Sequence, residues 1–192
     1  MQHSNALVGR IATATAVVVA GTLAMLLGTG ACATDYSGDL TGVVAPNYDQ
    51  FKGVNLTATQ AGVSRVLERR CGTLDCHGQV GRPMRIYGQL GLRFVDDAGD
   101  YPGDGTATTE TEYTANYQAV IGLQPEIMSR VVQFQLPPEA LMLLRKPLQL
   151  ERHKGGAVFV EGDDTYNCIT SWLGGQTDYT SCGTASSLTG TP

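Results

Sequence analysis

Arg70-Cys71-Gly72-Thr73-Leu74-Asp75-Cys76-His77-Gly78 is the stretch on which the fold of this chain turns. Four residues separate the two thiols, and an imidazole follows the second thiol directly. Upstream, Val63, Val66 and Leu67 recur at helical spacing, with Arg65, Glu68 and Arg69 on the other face. That pattern predicts a helix from about Thr59 to Arg70. Gly72 supplies its stop. A helix therefore hands Cys71 to a short loop that closes on His77.

The order Cys, Cys, His is the one that tethers haem c. Each thiol adds across one vinyl group, and the adjacent imidazole takes the iron. The usual motif has two residues between the cysteines, so spacing leaves other readings open. Cys71 and Cys76 could close a small disulfide loop. They could also join His77 and His153 as zinc ligands, although adjacent Cys76 and His77 are poorly placed to face one small ion. If haem is bound, Cys71 and Cys76 hold it and His77 is the proximal ligand. His153, in the Gly-rich turn His153-Lys154-Gly155-Gly156, is the candidate for the other axial position. Met142 is its alternative, and Met84 and Met128 are weaker ones. Arg82, Arg85 and Lys146 are candidate partners for the propionates on charge alone.

Further along, Thr109 and Glu112 have capping-box spacing and open a helix to Ile121. Pro125 suits a first helical position, ahead of Ile127, Met128, Val131 and Val132. One or two helical turns are expected from Glu139 to Leu144. A last helix is expected from Asp164 to Leu173, capped by Asp163 or Asp164 and stopped at Gly174-Gly175. Its buried side is Tyr166, Ile169, Trp172 and Leu173. Asp96 to Thr106 reads as a solvated acidic loop; its aspartates fit no EF-hand spacing. Cys168 and Cys182 are expected to pair and pin the C-terminal segment.

The N-terminus reads as an export signal: Arg10, then an uncharged apolar run from Ile11 to Gly28, then small residues. Gly30-Ala31-Cys32 resembles a lipobox, which would leave a lipidated Cys32 at the mature N-terminus. Ala31-Cys32-Ala33 also suits ordinary signal peptidase; the lipoprotein reading is favoured. The expected organisation is a signal at 1–33, a linker at 34–57, one domain at 58–183 and a disordered tail at 184–192. Export places the thiols in an oxidising compartment. The chain has 18 acidic against 13 basic residues, a net charge of −5. That charge gives no nucleic-acid footprint. No second apolar stretch is long enough to span a membrane. There is no Ser/His/Asp order with a nucleophile elbow, no phosphate loop and no His-Glu-x-x-His.

The run from Arg70 to Gly78, with Arg82-Pro83-Met84-Arg85-Ile86-Tyr87-Gly88, resembles the attachment region of cytochrome c-like proteins common in predicted lipoproteins of myxobacteria. Leu144-Arg145-Lys146-Pro147, His153-Lys154-Gly155-Gly156, Tyr166 and Trp172-Leu173 resemble the second half of the cytochrome c-like domains abundant in planctomycetes. The resemblance covers roughly Val63 to Gly175. It implies a mainly α, cytochrome c-like domain with long Gly-rich loops and an insertion between the attachment motif and the C-terminal helix. The expected function is a periplasmic, outer-membrane or cell-surface electron carrier. It would be held to the membrane by its lipid anchor and exchange electrons with a redox partner protein. The alternative is a haem-free envelope lipoprotein, stapled by Cys71–Cys76 and Cys168–Cys182, that serves as a binding or structural module.

Overall fold

The computed structural model describes residues 40–53, 61–95 and 99–187. The expected signal, Cys32, residues 34–39 and 54–57 of the expected linker and the last five residues lie outside that range. The described residues are mainly α-helical and contain no strand. In chain order they form α1 (Tyr48–Lys52), α2 (Val63–Arg70), α3 (Glu110–Ile121), α4 (Pro125–Val132), a 3-10 turn at Pro138–Ala140, α5 (Met142–Arg145), α6 (Asp164–Leu173) and α7 (Tyr179–Ser187). Two isolated bridges, Gly53 to Ala61 and Tyr87 to Leu92, are the only extended pairings among them. No described helix is long and apolar enough to cross a membrane.

Helix α2 is the centre of the packing and contacts α1, α3, α6 and α7. Val63, Val66 and Leu67 are fully or almost fully buried. Its expected polar face is only partly polar in fact, because Glu68 is also buried. Ser64 Oγ donates to Glu68 Oε1 at 3.0 Å and Thr108 Oγ1 to Oε2 at 2.6 Å. Helix α3 begins as its sequence requires. Thr109 accepts from the Glu112 amide while Glu112 reaches back to the Thr109 amide, a complete capping box. Asp163 caps α6 by accepting from the Tyr166 amide at 2.8 Å.

The segment between the cysteine loop and α3 has almost no regular structure, yet it is held firmly. Arg93 and Glu112, both buried, form a two-pronged pair at 2.8 and 2.9 Å. Arg93 also donates to the carbonyls of Gly103, Thr106 and Ala107. Burial pushes the Glu112 carboxyl up, but Arg93 and the amides of Thr109 and Phe94 outweigh it, so the net shift is downward. Asn116 of α3 receives the Tyr87 amide at 2.7 Å and donates to the Tyr87 carbonyl at 2.8 Å. A side chain thus takes the place of a strand partner.

Two expected boundaries are corrected. Residues 40–53 are not a free linker. Phe51 is fully buried, and Leu40, Val43 and Ala45 pack on the core. Trp172 Nε1 donates to the Asn47 carbonyl at 2.9 Å, and the Trp172 ring lies 5.3 Å from that of Phe51. The tail does not become irregular at residue 184, because α7 continues to Ser187 with Ala185 fully buried. Its buried residues are Ser181, Cys182, Gly183, Ala185 and Ser186. Small side chains let α7 lie close against α6 and α2 without an apolar stripe. Cys168 and Cys182 are joined, as expected.

Two measurements test this account. Burial raises the Glu68 carboxyl to about 7, against the opposing hydrogen bonds from Thr108 and Ser64. The folded state therefore holds that proton more tightly than the unfolded state. The resulting stability is full below the unfolded carboxylate range and is lost as pH rises through about 7. Urea midpoints should fall between about pH 5 and pH 8 in the wild type and much less in Glu68→Gln; equal declines would place the effect elsewhere. Replacing Cys168 and Cys182 by alanine reopens a loop whose ends are 14 residues apart, which should cost about 3 kcal/mol in urea unfolding.

Candidate functional site

The cysteine loop is shaped by backbone bonds. The Cys71 and Gly72 amides return to the Leu67 carbonyl at the end of α2. The His77 amide donates to the Cys71 carbonyl at 2.8 Å, and the Gly78 amide to that of Thr73 at 2.9 Å. The Gly72 carbonyl is the tightest point. A Cβ on Gly78 would lie 1.9 Å from its oxygen, and so would a Cβ on Gly91. Only hydrogen side chains permit three strands of chain to meet there. Downstream, the Ile86 amide donates to the His77 carbonyl at 3.0 Å and the Leu92 amide to that of Gly78 at 2.8 Å.

Beside this loop is a cavity of about 480 Å³. One wall carries Cys71, Cys76, His77 and Met84. The other comes from far along the chain and carries Met142, Leu143, His153 and Phe159. The Arg70 guanidinium crosses between them, donating to the Val158 carbonyl at 2.6 Å.

The two imidazoles face the same space. Their ring centroids are 6.4 Å apart and their planes differ by 17°. His77 Nδ1 lies 2.8 Å from the Met84 carbonyl oxygen, and His153 Nδ1 lies 2.9 Å from that of Gly156. A carbonyl only accepts, so in each neutral ring Nδ1 carries the proton and Nε2 keeps its lone pair. Burial lowers the pKa of His77, with the Met84 contact opposing and His153 and Arg82 assisting. A neutral imidazole with a fixed tautomer is the ligand form.

Cys71 and Cys76 are free thiols, the first buried and the second half-buried. The expected alternative staple between them is therefore not formed. Burial, with the neighbouring Cys76, pushes the Cys71 thiol up to about 12. Among the described residues no three His, Cys, Asp or Glu side chains converge to hold a metal ion. The four-ligand zinc set of Cys71, Cys76, His77 and His153 is accordingly not assembled. A haem iron asks less of the protein, since the porphyrin fills four positions and the chain need supply only two.

Most of the expected site residues meet here. Met142 lines the same cavity as His153, and so do Arg82 and Lys146. Arg85 is exposed and is not part of the lining. Lys146 pairs with Glu151 at 2.8 Å. Arg152 and Lys154 also line the cavity and were missed in the sequence, although their position on either side of His153 was a usable signal. The apolar wall of Leu123, Leu143, Val158 and Phe159 was missed too, because none of these residues stands out without the fold.

No family model, curated protein or solved structure matches this chain.

The crowding at Gly72 generates a stability prediction. Gly78→Ala and Gly91→Ala should each lower stability by about 3 kcal/mol or more in urea unfolding. Gly42→Ala, where nothing lies within 4 Å of the added carbon, should stay within about 0.5 kcal/mol of wild type. Near-neutral substitutions at 78 and 91 would refute the close approach.

Proposed function

We propose that this chain is an exported monohaem c-type cytochrome domain that carries electrons. In this reading Cys71 and Cys76 tether the haem through thioethers, His77 ligates one side of the iron and His153 the other. Met142 is held in reserve for the His153 position. The observation that carries the proposal is the imidazole pair across the cavity. Two imidazoles bound through Nε2 to one ion at about 2.0 Å have centroids roughly 6 Å apart, and those of His77 and His153 are 6.4 Å apart. The donor set is also chemically apt. Both Nδ1 positions are occupied by carbonyl partners, and both free thiols border the same space.

When bound, haem supplies a one-electron iron couple whose potential is set by axial ligands, hydrogen bonding and burial. The residues of the chain do the rest. The Met84 and Gly156 carbonyls fix the imidazoles and raise their basicity. Leu143, Val158 and Phe159 keep one side of the cavity apolar, which disfavours extra charge on the group. Arg82, Lys146, Arg152 and Lys154 are at hand for the propionates. With imidazole on both faces no position is left for a substrate, which favours an electron carrier over an oxidase or peroxidase. The fold is then a cytochrome c-like helical domain with the Arg93-anchored loops as its insertion. The N-terminal segment is its export signal, removed before Cys32, which becomes its lipid anchor. It works in the periplasm or at the outer-membrane or cell surface, with a redox protein as partner and no nucleic acid.

The full chain should be produced in a bacterial host with haem-attachment machinery. The expected product is red, with a haem-sized mass increment that survives denaturation. A colourless protein retaining two free thiols would overturn the proposal. In the red protein, His153→Ala should change the low-spin spectrum and raise the potential, while Met142→Ala should leave both close to wild type. The reverse pattern would transfer the second axial position to Met142.

A further inference from the structure

The two imidazoles are held in different ways. His77 is pinned across the loop, by Met84 through its ring and by Ile86 through its carbonyl. His153 is held within its own turn. The Gly156 amide donates to the His153 carbonyl at 3.2 Å, and the His153 ring donates back to the Gly156 carbonyl at 2.9 Å. Among the described residues, the only other hydrogen bond to the backbone of 152–156 is a 3.4 Å contact from Lys146 Nζ to Arg152. The hydrogen bonds that hold the ring and its backbone therefore lie almost wholly within the turn itself.

Gly155 is placed to do this. A Cβ on Gly155 would lie 3.1 Å from His153 Cε1, 3.5 Å from Nδ1 and 3.6 Å from Nε2. Three ring atoms lie within 4 Å of one point, so the ring rests against bare glycine backbone. Gly156 has φ of 71°, a left-handed conformation in which glycine carries no Cβ penalty. That conformation accompanies the carbonyl that accepts from the ring.

We infer that Gly155 and Gly156 are positioning residues that set the plane of the His153 imidazole nearly parallel to that of His77. The inference rests on the haem reading and deepens it. The two ring planes are 17° apart; if both imidazoles held a haem iron, planes so nearly parallel would separate the two iron d orbitals that overlap the imidazole π systems. Crossed planes leave those orbitals nearly degenerate. Ligand-plane angle is therefore a tuning device distinct from ligand identity, and this turn controls it.

Gly155→Ala tests the inference. Gly155 is exposed and its φ is not left-handed, so alanine suits the backbone, and the three atoms nearest the added carbon all belong to the His153 ring. Low-temperature electron paramagnetic resonance of the ferric holoprotein should give a rhombic low-spin signal for wild type. Gly155→Ala should shift it toward a single strongly anisotropic signal or a high-spin one, with a displaced midpoint potential. Gly42→Ala should match wild type. A second readout needs no haem. Nitrogen-15 NMR of the haem-free chain should show His153 protonated at Nδ1, with its ring resonances moved by Gly155→Ala and unmoved by Gly42→Ala. A wild-type signal of the strongly anisotropic kind, or Gly155→Ala indistinguishable from wild type in both readouts, would overturn the inference. A protein that takes up no haem but shows the NMR shift would sink the cytochrome proposal and leave the turn's hold on His153 standing.

Discussion

The close approach of three chain segments at the Gly72 carbonyl is the constraint on which the site depends. Gly72 ends α2, Gly78 follows His77, and Gly91 belongs to the loop that returns from Met84 and Ile86. Because all three lack side chains, the loop from Cys71 to His77 can fold back on the end of α2 and present both thiols and the imidazole toward one cavity. Glycine is entropically expensive to order. Here the cost is offset by the backbone bonds that converge around the loop, from His77 to Cys71 and from Leu92 to Gly78.

Around this point the molecule separates its polar and apolar labour. On one side of α2 and α3, a buried system of Glu68, Thr108, Asn116, Glu112 and Arg93 holds irregular chain in place with side-chain hydrogen bonds. A buried ion pair gives little net stability against an apolar replacement, but breaking one is severe. Here it holds a Gly-rich segment with few apolar anchors in one conformation. On the other side, Leu67, Leu143, Val158 and Phe159 line the cavity. Helix α2 belongs to both systems.

The sequence disclosed the elements that carry strong local signals. The capping box of Thr109 and Glu112, the Pro125 start, the Asp163 cap and the Gly174-Gly175 stop are all as the residues require. Cys168 and Cys182 pair as expected. Helix α7 was illegible, since Ser, Gly, Ala and Cys bury by smallness and leave no hydrophobic period. The segment from Leu40 to Lys52 was misread as linker because its burial depends on a few dispersed residues, Phe51 above all. At the site, Cys71, Cys76, His77, Met142 and His153 could be named from residue type alone. That they share one cavity is a tertiary fact. Glu68 reads as part of the polar face of its helix because nothing local announces Thr108, forty residues on, as its partner.

The cavity has walls of unequal sequence range, and this bears on the order of assembly. The wall with both thiols and His77 is stabilised by contacts within residues 67–92. The facing wall is drawn from residues 123 and 142–159 and is tied back by the bond from Arg70 to Val158. Local contacts form with less loss of chain entropy than distant ones. The thiol-bearing loop can therefore take shape while the second half is still loose. It would then stand open on one side until the far wall, 88 residues on at the bond from Arg70 to Val158, arrives to cover it.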